Sequence, residues 1–248
     1  MSPKGTLGVE SKALAAAGHF LLARCFMYRT VYYHKTTYAF EEACRQLLRR
    51  LRDQPDFGLP RDGNEVYVLC KSDELANFTD EYVDRAIRTA VHHADPVTQA
   101  LARSITSRQP PKLVHEVCGL FDKAAVTNRP PHFDKMCRHN LAGLAARYSL
   151  PVGQFLLCGP KPIEFEERGS RLTVKGAQGL APEEREEIIN VFDGHSDEPV
   201  AIVEIPDSLI SQLSTHHFAI RRLYVIDSHP DAKARLEAIR QEVRAWAD

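Results

Sequence analysis

Residues 23–35 read ARCFMYRTVYYHK, a run without glycine or proline that sets Arg24, Arg29, Tyr32, His34 and Lys35 among apolar side chains. Working outward, residues 11–52 contain a single glycine, Gly18, and no proline. Phe20, Leu21, Phe26, Met27, Val31 and Phe40 recur at three- and four-residue spacing, which predicts one long helix, with Gly18 as the place for a bend. On that helix Arg24, Tyr28, Tyr32 and Lys35 fall close to one face. Arg24 and Lys35 would then lie roughly 16 Å apart along the axis, at a rise of 1.5 Å per residue. Arginine offers phosphate a planar fork and lysine a point charge, while a tyrosine between them packs on sugar or base. The same pattern also suits a core helix whose cations snorkel to water, and chemistry alone leaves both readings open.

Two further stretches extend the pattern. FTDEYVDRAI (78–87) leads into HHADPVTQALARSITSRQPPKLV (92–114), where a helix opened by Thr-Asp precedes an Arg-x-x-x-Lys element, Arg108 to Lys112, interrupted by Pro110 and Pro111. FAIRRLYVI (218–226) reads as a late basic strand ahead of a terminal helix. In this order the three stretches resemble the carboxy-terminal, HD-associated region of HD-domain deoxynucleoside triphosphate (dNTP) triphosphohydrolases and their HD-superfamily phosphohydrolase relatives. The resemblance implies that Arg24 contacts the substrate triphosphate and that Tyr32 lies against its sugar and base. It implies that His34, Lys35, Arg108 and Lys112 line the pocket of an effector nucleotide that joins subunits. The late strand departs from the regulated members, which carry a lysine just after Arg-x-Tyr where this chain has Ile226.

HD chemistry needs a His, a His-Asp doublet and a distant Asp on a divalent metal. No histidine here precedes an aspartate. The resemblance therefore implies that the metal ligands lie upstream of the region matching residue 1. The expectation is a chain with no catalytic residues, metal ligands or cofactor of its own. A divalent metal (Mg, Mn or a transition metal) enters only with an HD-containing subunit or amino-terminal half. The partners implied are a dNTP or related nucleotide, that HD part, and a homo- or hetero-oligomer. The intact enzyme would release a deoxynucleoside and triphosphate. A non-catalytic nucleotide-sensing or oligomerisation module is the alternative, and a degenerate fragment with exposed core is a third.

Other constellations are weaker. His115, Cys118, Cys137 and His139 give H-x2-C and C-x-H, whose one-residue gap is unusual for zinc, and Val114, Val117 and Leu120 predict that His115 and Cys118 flank a packed helix. Asp95-Pro96 reads as a helix cap rather than as a metal corner with His92 and His93. There is no G-x-S-x-G, Walker A or GxGxxG motif. Arg45, Arg49, Arg50 and Arg52 are flanked by Glu41, Glu42 and Asp53, as on a solvated helix face.

Composition sets the bounds. The chain has 248 residues, 44% hydrophobic and 26% charged, with net charge −1, which fits a globular protein and argues against general nucleic-acid binding. Six scattered cysteines and no signal peptide or membrane-length apolar run predict reduced thiols and a cytoplasmic location. The predicted class is α+β: a helical tail of an HD-type core (1–56), an HD-associated helical region (57–150) and an α+β region (151–248). Within it, strands are expected at EVYVLC (65–70), QFLLC, PIEFE, RLTVK, PVAIVEI and AIRRLYVI. Helices are expected near 79–92, 95–106, 132–149, 182–192 and 206–215, and from Pro230 onward.

Overall fold

The computed structural model describes residues 8–72, 75–76, 78–125, 129–164, 189–192, 200–206 and 208–247. The fold is α+β, with helices dominating the amino-terminal part. The expected single long helix is two. α1 (Leu14–Met27) passes through Gly18, enters a π-helical turn over Tyr28–Tyr32, and stops before α2 (Lys35–Arg52). The break falls at Tyr33 (φ −104°, ψ 27°) and His34 (φ −56°, ψ 131°), not at the glycine. Thr30, Val31, Tyr32 and Tyr33 are β-branched or aromatic, and crowding at χ1 makes that run a poor helix former.

Further helices are α3 (Gly63–Lys71), α4 (Asp80–Thr89), α5 (Pro96–Thr106), α6 (Arg129–Arg147), α7 (Leu209–Ser214) and α8 (Ala232–Ala247). α3 overturns the strand expected at 65–70. The Asp62 carboxylate accepts from the backbone N–H of Asn64 and Glu65, and Glu65 reaches back to the N–H of Arg61. That local cap outweighs the strand preference of Val66, Tyr67 and Val68. At α5 the expected cap is present: Asp95 accepts from the N–H and hydroxyl of Thr98, with Pro96 at the first turn. Those bonds, the hydroxyl's first, hold the Asp95 carboxyl below its ordinary range.

The chain divides into two compact units, residues 1–33, 117–130 and 160–220, and residues 34–116, 131–159 and 221–248. The first contains a sheet of β1 (Gly8–Glu10), β5 (Asn190–Phe192) and β6 (Val200–Ala201), parallel then antiparallel. Gly8 is required there, since a Cβ would come within 2.6 Å of the Asn190 carbonyl. β5 replaces the end of the helix expected over 182–192, whose earlier part lies outside the described residues, as does RLTVK. Among the described residues of PVAIVEI, β6 is the strand, followed by a 3₁₀ turn at Ile202–Glu204. In this unit Leu14, Ala17 and Leu21 of α1 pack on Val191, Ile202 and Ile210, while Leu22 and Cys25 pack on Phe218 and Ile220.

In the second unit Ala39, Ala43, Leu47 and Leu51 of α2 meet Ala86, Ile87, Val97, Leu101 and Ala102 in one core with Leu156 and Tyr224. β3 (Phe155–Cys158) runs antiparallel to β7 (His216–Val225) in the register Phe155↔Val225 to Cys158↔Arg222, while β4 (Ile163–Glu164), which belongs to the first unit, pairs with the start of β7. β2 (Lys112–Asp122) is the other neighbour of β7. It is a strand where His115 and Cys118 were expected beside a helix. α8 carries the expected stripe, with Ile239 and Val243 fully buried.

Candidate functional site

Arg24 and Tyr32, both exposed, are linked through a ring that the sequence marked only by its spacing. The Arg24 guanidinium lies 5.7 Å from the Tyr28 ring centre, and the Tyr28 ring is 5.0 Å from Tyr32, tilted by 37°. Tyr28 also meets Tyr33 at 5.7 Å. The π turn keeps this ladder on one side of the chain, and such turns recur at binding sites. A cation beside two tilted rings, open to water, can take a phosphate at one end and stack a planar group at the other.

Lys35 is not on the helix of Arg24. It begins α2, with no acidic residue in the first turn and no side-chain cap from His34. A cation at a helix amino terminus opposes the helix dipole, so the position works against α2 and favours an incoming anion. Arg108 shows a similar local conflict. It has φ 53°, in the left-handed region, where α5 ends: its N–H donates to the Ile105 carbonyl, and that of Gln109 to the Ser104 carbonyl. Glycine is the usual residue in this motif, and a side chain there costs about 1–2 kcal/mol. Lys112 starts β2 and is exposed. Among the described residues none of Arg24, His34, Lys35, Arg108 and Lys112 makes an ion pair. Within the α2 arginine run, by contrast, Arg45 pairs with Glu42, Arg50 with Asp95 at 3.3 Å and Arg52 with Asp53 at 3.8 Å.

Ile226 is buried in the second unit's core and offers no cation. A cavity of about 250 Å³ within residues 52–69 contains none of the six predicted residues, and its two arginines, Arg52 and Arg61, are compensated by Asp53 and Glu65. Missed by sequence reasoning were two contacts made by buried polar side chains of β7: Arg222 donates to Glu116, and Tyr224 donates to the Lys35 carbonyl at 2.9 Å.

Among the described residues no group of three or more His, Cys, Asp or Glu could hold a metal ion, so they do not fit the donor set of an HD-type centre. His93 accepts at Nδ1 from the Asp95 N–H, which puts its proton on Nε2, toward Gln54 Oε1 at 2.7 Å. His115 packs on Phe133 at 5.2 Å, and burial pushes the Cys137 and Cys158 thiols up to about 12, away from nucleophilic use. No helix among the described residues is long and apolar enough to cross a membrane.

Comparison with known proteins gives a family match over residues 2–114, to the HD associated region. The match places that segment in an HD-superfamily context. Among solved structures, a phosphohydrolase from Bacteroides thetaiotaomicron is 18% identical, with a TM-score of 0.49, covering 89% of this chain and 52% of its own. This chain thus spans about half the length of that phosphohydrolase. No curated protein matches.

Proposed function

Because residues 2–114 carry an HD-associated region, we propose that this chain is the nucleotide-contacting part of an HD-superfamily dNTP triphosphohydrolase, its metal centre supplied by an HD-containing half. Arg24 takes the triphosphate, Tyr32 stacks on sugar and base, and Tyr28 sets the spacing between them. His34, Lys35, Arg108 and Lys112 take a second, effector nucleotide, without the extra cation that Ile226 replaces. The three cations Lys35, Arg108 and Lys112, unpaired among the described residues, also support the alternative, a nucleotide-sensing module without turnover of its own.

The outer face of α1 carries the proposal. Away from the side that packs on the first unit's core, Phe20 is 65% exposed, Phe26 and Met27 are exposed too, and so is Val31 in the π turn that follows. Large apolar side chains on the solvent side of a helix whose other side already packs on a core belong against a second layer, not against water. Contiguous exposed apolar surface of this kind marks an interface, and we assign it to the HD-containing half. The test is size-exclusion chromatography of the chain mixed with a separately produced HD half. The wild-type chain should co-elute with it, and a Phe20→Glu/Val31→Glu chain, folded by circular dichroism, should not. Unchanged association of the double variant would remove α1 as the docking face.

A further inference from the structure

In the second unit two buried polar side chains of β7, Arg222 and Tyr224, reach groups on neighbouring elements. Tyr224 is 1% exposed, its ring inside the core. Its hydroxyl donates to the carbonyl of Lys35, the first residue of α2. Two residues earlier on β7, and so on the same face, the buried Arg222 donates to the Glu116 carboxylate. Burial opposes the charge of Arg222, but Glu116 and Tyr224 together outweigh it and hold the guanidinium protonated. Glu116 lies four residues along β2 from Lys112, again on one face. Strand β7 therefore joins the backbone of Lys35, through Tyr224, to the strand that presents Lys112, through Arg222 and Glu116. Buried ionic groups are often no more stabilising than apolar ones of the same volume, whereas their directional bonds can fix one geometry.

We propose that Tyr224 and Arg222 are positioning residues that lock the first turn of α2 to β2, so that anion contacts at Lys35 and Lys112 form as one coupled event. This rests on the reading of those lysines as nucleotide contacts. Without the Tyr224 hydroxyl, the carbonyl of Lys35 loses its tie to β7, next to the break at Tyr33 and His34, and α2 is anchored only from Tyr38 and Ala39 onward. Each lysine then meets a phosphate independently of the other.

The test is a double-mutant cycle on the full chain, with dGTP binding measured by isothermal titration calorimetry. Lys35→Ala, Lys112→Ala and their combination are compared in the wild-type and Tyr224→Phe backgrounds. In the wild type the two losses should be non-additive by about threefold or more. In Tyr224→Phe they should multiply as independent effects, while each lysine still contributes. Glu116→Gln, which keeps the side chain's shape, should reduce the coupling in part. A purely structural role would lower the melting temperature of all four Tyr224→Phe proteins and leave the coupling intact. Coupling that survives in Tyr224→Phe, or independence already in the wild type, overturns the proposal. No dGTP binding by the wild-type chain overturns the nucleotide reading beneath it, which is a distinguishable result.

Discussion

Replacing Arg24 with alanine should lower dNTP turnover by the chain together with its HD half by roughly two orders of magnitude. The estimate follows from the loss of a charge-assisted bond, about 1.5–3 kcal/mol, where no other cation fills the place. Arg24 is exposed and its contact among the described residues is with the Tyr28 ring, so the melting temperature should hardly move. Arg24→Lys should recover part of the rate, since it restores the charge and not the fork. Initial rates by chromatography, with melting curves alongside, check the pair. An Arg24→Ala rate equal to that of the wild type would leave Tyr28 and Tyr32 as mere surface aromatics.

The largest effect on stability should come from Leu101→Ala. Leu101 is fully buried, where α5 faces Leu47 and Leu51 of α2. Its truncation should cost about 2–5 kcal/mol, from the lost transfer of the side chain and the cavity it leaves. At this size that is on the order of ten degrees in melting temperature. Phe20→Ala, though it removes a larger group, should stay within about 0.5 kcal/mol because the ring is in water. Differential scanning calorimetry separates the two. A Phe20→Ala loss as large as that of Leu101→Ala would mean that the outer face of α1 is core, and the docking assignment would fall.

Legibility followed the strength of local signals. α5 was readable because Asp95-Pro96 is both cap and first turn. The apolar faces of α2 and α8 follow the helical period, and β7 concentrates β-formers. α3 was misread because Val66, Tyr67 and Val68 favour a strand, while the cap at Asp62 and Glu65 acts first. β2 was misread for the reverse reason. Val114 is buried but His115, Val117 and Cys118 are all half-buried, which blunts the period-two contrast that marks a strand. β1, β5 and β6 are two or three residues each, too short for any period. At the candidate site, the closeness of Arg24, Tyr28 and Tyr32 follows from their four-residue spacing. The contacts Glu116–Arg222 and Tyr224–Lys35 were not legible, since their members come from three separate elements and only tertiary pairing joins them.

The most direct measurement is chromatographic analysis of all four dNTPs incubated with this chain and Mg²⁺ or Mn²⁺, with and without a supplied HD half. The account predicts release of deoxynucleoside and triphosphate only when both parts are present. Turnover by this chain alone would contradict it and place a catalytic centre among its own histidines and carboxylates.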